Sequence, residues 1–332
     1  MHASNTTKLV DETMFNFRPQ THKDGNLLYL SYYVQQTPEN IGVEVKSCAA
    51  LRPRIFLSLE IQRSKNDLNG HEFLEEAQAK KTLACTMRLL DKACQRSEYD
   101  DDTTALEEPS TSSVMNGDAG RDLVIGDLWF GSVTTTDCLL NKMRHGKDSI
   151  LQVKTAHSLF PKKYIESMTK DWPGGSHIIL KTEFKGKTMY AVGYKYCSKK
   201  TLLFIFNKGA AGTEPGVPYR AMWIDENNNQ SFRDVPRPQV CAIYFGDSNV
   251  IDILNSQRQY DLKLEKLWVT QDGYFRMMTS VFGCVVVDMY NSYQHHLSCG
   301  HRHKKASLLI IVSMLTLDCF ARLFDEQSRG KS

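Results

Sequence analysis

Along the first sixty residues, apolar and polar positions change over at short intervals, as half-buried strands require. Lys8 to Phe17 alternates loosely, with Met14, Phe15 and Phe17 following the acidic pair Asp11-Glu12. Leu27 to Val34, Val43 to Cys48 and Ile55 to Ile61 are rich in aromatic and β-branched residues, so they read as further strands of one meander. Across Glu72 to Lys92 the apolar positions Phe73, Leu74, Ala77, Leu83, Met87 and Leu90 recur at helical spacing. Leu123-Val124-Ile125 then reads as a short buried strand with Asp127 where it ends. Trp129-Phe130, a Gly131-Ser132 turn and the Thr134-Thr135-Thr136-Asp137 run come after it, the last offering caps for a helix near Asp137 to Arg144. A strand at Ile150 to Lys154 and a helix from Pro161 to about Lys170 come next.

His177 to Phe184, Met189 to Tyr196 and Thr201 to Phe206 predict a three-stranded antiparallel patch joined by Lys185-Gly186-Lys187 and Ser198-Lys199-Lys200. Gly209 to Pro238 is loop-rich, with asparagines at 227, 228 and 229. Asn249 to Leu264 and Gly273 to His295 predict two helices, the second more apolar and central.

Composition adjusts this picture in three places. The 332 residues can bury a full core. Residues 96–122 carry eight acids against Arg96 and Arg121, so a chain of net charge +3 divides into a stretch at −6 and a remainder at +9. That stretch is Ser/Thr-rich and poor in large apolar groups, the signature of a disordered insertion, while the rest has the positive balance that a phosphate-binding surface needs. Nine cysteines without paired spacing, and no secretory leader at the start, fit reduced thiols in a cytosolic or nuclear protein. Cys138, Cys197, Cys241 and Cys284 sit in apolar surroundings and are expected to pack in the core. The longest apolar run, Leu308 to Leu317, is too short to span a bilayer and ends at Asp318, so no membrane association is expected.

The candidate chemistry lies in the acids. Asp127 at the end of a buried strand is either a cap for the turn after it or a ligand aimed into a crevice. Asp252, Asn255 and Gln259 form a polar stripe on a helix whose other side carries Val250, Ile251 and Leu254, and by itself such a stripe faces solvent. Together with Asp11 on the first strand, Asp127 and Asp252 match the order in which a two-metal phosphoryl-transfer site is built. Mg²⁺ or Mn²⁺ prefers carboxylate oxygens, and two ions about 4 Å apart hold the attacking and leaving oxygens. Trp129 and Phe130 are read as buttressing the Asp127 turn rather than stacking on bases.

The surroundings of these acids are more specific than their order. Asp11-Glu12 with Met14-Phe15-Asn16-Phe17-Arg18, then Gly126-Asp127-Leu128-Trp129-Phe130-Gly131-Ser132, then Val250-Ile251-Asp252-Ile253-Leu254-Asn255 resemble successive motifs of the PiggyBac family of transposases. Lys154-Thr155-Ala156-His157, Val192-Gly193-Tyr194-Lys195, Val235-Pro236-Arg237-Pro238 and Lys266-Leu267-Trp268-Val269-Thr270 share the likeness, which spans about residues 8–295. The resemblance implies an α/β fold: an RNase H-like mixed sheet flanked by helices, with a mainly β insertion before the last catalytic helix. On that plan residues 1–95 and 123–172 are the two parts of the core, 96–122 the acidic insertion and 173–248 the β-rich insertion domain. Residues 249–296 are the final core helices and 297–332 a tail.

It also implies three metal-holding aspartates, Asp11, Asp127 and Asp252, two Mg²⁺ or Mn²⁺ ions, and cleavage of DNA with joining to a TTAA target. A nuclear location and a homodimer go with it. The family's further acidic position falls on Asn255, which still offers a carbonyl oxygen. The resemblance further implies an upstream dimerisation and DNA-binding region, and a cysteine-rich zinc module at the end. Here His295, His296, Cys299, His301, His303 and Cys319 match no common zinc spacing, so a polar helix end and a basic loop are expected instead of zinc. The alternative reading is a catalytically inactive, transposon-derived remnant or domesticated protein that binds DNA or chromatin.

Overall fold

The computed structural model describes residues 7–16, 31–33, 41–62, 72–77, 80–101, 121–153, 159–224, 228–267 and 273–298. Three segments of the expected motifs, 17–18, 154–157 and 268–270, lie outside the described residues. So do the tail from 299 onward, with its apolar run and most of its candidate zinc ligands, and residues 102–120 of the acidic stretch.

The chain opens with β1 (Thr7–Asn16), β2 (Ser31–Tyr33), β3 (Ile41–Ala50) and β4 (Ile55–Ile61), the meander that the alternation predicts. β3 runs antiparallel to β1, and its other edge is shared end to end by β2 and β4. Next come α1 (Lys81–Asp101), β5 (Leu123–Gly131), α2 (Val133–Asn141), β6 (Asp148–Val153) and α3 (Lys162–Thr169). β5 lies parallel to both β1 and β6. The strand order β4-β3-β1-β5-β6, three antiparallel members followed by two parallel ones, is the RNase H-like mixed sheet.

The β-rich part comes where expected in the chain, before the last helices, but it is not a body apart. β7 (His177–Phe184), β8 (Lys187–Cys197) and β9 (Lys200–Asn207) continue the same sheet, because β9 pairs with β6 across Ile150↔Phe206 and Leu151↔Ile205. Only β10 (Tyr219–Ile224) and β11 (Gln230–Val235) form a separate hairpin, in a stretch whose composition indicated loop. The helices α4 (Gln239–Asp247), α5 (Val250–Ser256), α6 (Leu264–Leu267) and α7 (Gly273–Ser298) close the fold.

Strand periodicity sorts the core into two layers. On one face Leu9, Phe15, Val43, Val45, Ile125, Ile150 and Phe204 pack against Tyr244, Ile251, Leu254 and Val287 of the late helices. On the other, Val10, Cys48, Val124, Leu151 and Ile205 pack against Leu83, Met87 and Leu90 of α1, Leu139 of α2 and Ile165 of α3. Asp11 and Asp127 have the parity of Leu9 and Ile125. They therefore face the late helices.

Several local expectations are corrected. α1 starts at Lys81 rather than Glu72, and it runs six residues into the expected insertion, to Asp101. At the other edge of that stretch Asp122 is bound between Lys8 and Lys147, at 2.8 and 2.7 Å. The cap of α2 is Ser132, whose hydroxyl accepts from the Thr135 amide at 2.9 Å, not a member of the threonine run. The helix expected from Asn249 to Leu264 is α5 followed by a π-helical stretch, Gln257–Leu262, which stops at Lys263 in the left-handed region (φ 57°). Cys138, Cys241 and Cys284 are buried as expected, whereas Cys197 is exposed. Among the described residues no helix is long and apolar enough to cross a membrane.

Candidate metal centre

Two adjacent parallel strands place the first two acids side by side. The β1–β5 ladder pairs Leu9 with Ile125 and Val10 with Gly126, so the next residues, Asp11 and Asp127, emerge together from neighbouring strands. Between Gly126 and Gly131 the β5–β6 register shifts, which frees Asp127 to Phe130 from regular pairing. Gly131 is where the strand returns to β6. A Cβ there would lie 1.8 Å from the Gln152 carbonyl oxygen, so only glycine permits that approach. α5, packed on β1 and β3, brings Asp252 over the pair.

The three aspartates line one cleft of about 160 Å³, with Tyr244 and Ser248 from α4 and its end. Among the described residues no three acidic, histidine or cysteine side chains are gathered tightly enough to close round an ion. The arrangement is an open one, with carboxylates facing a shared space. Burial holds the Asp11 carboxyl at about 7, against an ordinary 3.8, with further upward pressure from Asp127 and then Asp252. The Glu12 amide, donating to Asp11 Oδ1 at 2.7 Å, opposes this. Burial also raises Asp127 and Asp252 above the ordinary carboxylate range. A divalent cation placed among these three carboxyls would offset both burial and mutual repulsion.

Asp127 caps the turn after its strand and also borders the cleft. Its Oδ1 accepts from the Trp129 amide at 2.9 Å, fixing the turn, while the residue lines the cleft. Trp129 packs edge-on against buried Phe130, with centroids 4.7 Å apart, and the buried Lys46 ammonium sits 3.7 Å from its ring centre. Lys46 is ion-paired with Glu12 and Glu44. This is the buttress expected of the aromatic pair.

The polar stripe that begins on α5 is exposed at Asp252 and half-buried at Asn255 and Gln259, where it meets β1. Asp252 turns to the cleft, Asn255 reaches Thr13, and Gln259 approaches the Met14 carbonyl at 3.5 Å. A directional chain of hydrogen bonds fixes Asn255. Ser47 Oγ donates to the Asp11 carbonyl at 3.0 Å, which leaves Thr13 to donate to Ser47 (3.0 Å) and Asn255 Nδ2 to donate to Thr13 (3.4 Å). Asn255 Oδ1 is thereby left buried without a partner, the kind of orphan oxygen that a cation or water satisfies. Asn255 does not itself line the cleft as Asp252 does.

Tyr244 was not legible as a site residue. Its hydroxyl donates to Gln152 Oε1 at 3.1 Å, and burial, with Asp127 and Asp11 adding to it, raises its pKa, so it keeps its proton. The signal available was the apolar trio Val240, Cys241 and Tyr244 directly after Pro238, a helix start of the kind proline favours.

Two adjacent parallel strands and the helix laid over them bring Asp11, Asp127 and Asp252 to one cleft at the mixed sheet. The chain is similar in structure to the piggyBac transposase in its synaptic complex with hairpin DNA, with a TM-score of 0.63 and 12% identity. The match covers 100% of this chain and 55% of that one, so the chain spans about half the length of that transposase. At that identity the likeness is one of fold. No protein-family model matches the chain, and no curated protein matches its sequence.

Proposed function

We propose that this chain is a PiggyBac-type catalytic core that cleaves DNA and transfers the cut strand, with divalent metal held by Asp11, Asp127 and Asp252. The observation that carries this reading is the meeting of those three acids, named by motif position, in one cleft of a fold similar to a DNA-bound transposase. Two Mg²⁺ or Mn²⁺ ions bound there would supply Lewis-acid activation of a phosphodiester and of the attacking water or 3′-hydroxyl. Asn255, one turn along α5 from Asp252 and outside the cleft lining, carries an unpartnered side-chain oxygen. The chain's own residues prepare the site. The Trp129 amide and the Lys46–Trp129 clamp hold the Asp127 carboxyl, Ser47 and Thr13 tie β1 to α5, and Tyr244 offers a protonated hydroxyl at the wall. A TTAA target, a homodimer and action in the nucleus come with the same resemblance and belong to the proposal.

The test is nicking of supercoiled DNA in Mn²⁺ by the purified chain, beside Asp127→Asn. Nicking that vanishes in the variant supports the reading. Folded wild-type protein that binds DNA without nicking it, at any metal concentration, favours the remnant or domesticated binding protein. One observation leans that way: a neutral Asn255 stands where the family's further acid falls.

A further inference from the structure

A second hollow, of about 620 Å³, borders the same α4–α5 junction as the aspartate cleft. The two share a wall of three residues. Ser248 lines the cleft, while Asp247 and Asn249 on either side of it line the hollow. Arg52 and Arg54 enter from the turn between β3 and β4, and Gln294 and His295 from the last turn of α7. Both arginines are exposed, and Arg52 acts electrostatically on Asp247 across the hollow. Burial raises Asp247 above the ordinary carboxylate range, with Arg52 pulling it back. The hollow is therefore polar, carries two permanent positive charges against one partly suppressed carboxylate, and has the volume of a nucleotide-sized ligand.

Two planar guanidiniums two residues apart, flanked by carboxamides, match the oxygens of a phosphodiester more closely than they match an apolar or cationic ligand. We infer that this hollow binds the sugar–phosphate backbone of the DNA strand adjoining the one held in the aspartate cleft, with Arg52 and Arg54 contacting its phosphates. The inference rests on the proposed function for the identity of the strand, and adds a second contact region that keeps it in register with the cleft. Asn249 supplies a neutral hydrogen-bonding group for sugar and phosphate oxygens. Asp247 faces the same space and sets a limit on how closely a phosphate approaches the α4 end.

The experiment is fluorescence-anisotropy titration of a labelled single-stranded oligonucleotide with the full chain in EDTA, at several salt concentrations. Wild type, Arg52→Ala/Arg54→Ala and Arg52→Lys/Arg54→Lys are compared, with thermal melting as the folding control. The alanine pair should bind about tenfold more weakly or worse, and its log–log salt slope should fall by about 1.4, the loss of two phosphate contacts on a single strand. The lysine pair should recover most of the slope. Unchanged affinity and slope in the folded alanine pair, or no binding by wild type, would overturn the assignment. So would full displacement of the oligonucleotide by millimolar inorganic phosphate, which would mark a free-anion pocket. If the arginines govern binding but wild type never nicks in Mn²⁺, the catalytic reading fails and this one stands. If nicking depends on the aspartates while the arginines are silent, the reverse holds.

Discussion

Asp11 contributes to the pH behaviour of the metal-free protein in the same direction as Asp127, Asp247 and Asp252, whose carboxyls are also raised. Its folded carboxyl keeps a proton to about 7, while the unfolded chain releases it near 3.8, so between those values the folded form binds more protons. Stability of the metal-free protein therefore falls as pH rises through that window and levels off above it. Asp11→Asn should raise the stability of metal-free protein at pH 8 by on the order of 1–3 kcal/mol and have little effect at pH 4. Urea denaturation at the two pH values reads the difference, and equal effects at both would discount a raised Asp11 carboxyl. The same substitution should remove Mn²⁺-induced thermal stabilisation, a pairing of gain and loss expected of a ligand and not of a packing residue. Asn255 gives the converse case. Its Oδ1 is buried without a partner, so Asn255→Asp should tighten Mn²⁺ binding several-fold by adding charge to the donor set. Isothermal titration measures it, and an unchanged affinity would take Asn255 out of the site.

At the level of elements, the placing of α5 depends on the π-helical stretch and α6 behind it. Arg258, 1% exposed, donates to the Met14 carbonyl at 2.8 Å and lies over Phe15, so the π-helical stretch is bolted to the end of β1. Glu265 of α6 is its buried ion-pair partner, and Gly283 of α7 leaves room for its stem. Glu265→Gln removes one member of a buried pair and should cost about 3–5 kcal/mol. It should also weaken Mn²⁺ binding, since Asp252 and Asn255 ride on the same segment. Replacing both partners, Arg258→Met with Glu265→Leu, should recover most of the stability, because no lone charge remains buried. A double variant no more stable than the single one would show that the carbonyl contact at Met14, rather than the pair, holds the segment. Little of this bolt was legible. The apolar set Val250, Ile251 and Leu254 gives way to five polar residues, Asn255 to Gln259, before Tyr260, Leu262 and Leu264. A polar run does not by itself specify a π-helical stretch, and neither glycine nor asparagine marks Lys263 as the stopping point. α4 escaped notice for a related reason: its residues are apolar nearly all round, so no stripe distinguishes helix from strand. The strands were legible, since alternation in β1 and β3 and the turn residues at 185–187 and 198–200 are local signals. The three aspartates were singled out by the motif likeness of their neighbours, and the fold brings them to one cleft. Tyr244 was not, because its place at the cleft depends on which helix covers the sheet.

For the molecule as a whole, the sheet makes one unit of parts that the chain order suggests are two. The strands of β7–β9 were readable, but their neighbour was not, because pairing of β9 with β6 is a long-range choice that no turn encodes. That pairing has an energetic consequence. Phe204 of β9, fully buried, meets Tyr244 edge-on at 5.0 Å, and Tyr244 forms a wall of the aspartate cleft. Phe206 beside it stacks on Tyr190 at 4.8 Å and pairs with Ile150 of β6. A separate insertion domain would unfold in its own transition and leave the cleft intact. A continuous sheet with cores on both faces should instead unfold cooperatively, and damage at β9 should reach the aspartates. Phe204→Ala is expected to cost about 3–5 kcal/mol through the cavity left in the core. The loss should appear as one shifted transition, at the same denaturant concentration by far-ultraviolet circular dichroism and by tryptophan fluorescence. Mn²⁺ affinity should fall with it, as Tyr244 loses the ring it leans on. Two transitions, with the variant moving only one and metal affinity unchanged, would show that strands sharing a ladder need not share a fate, and would return residues 173–248 to the status of an independent domain.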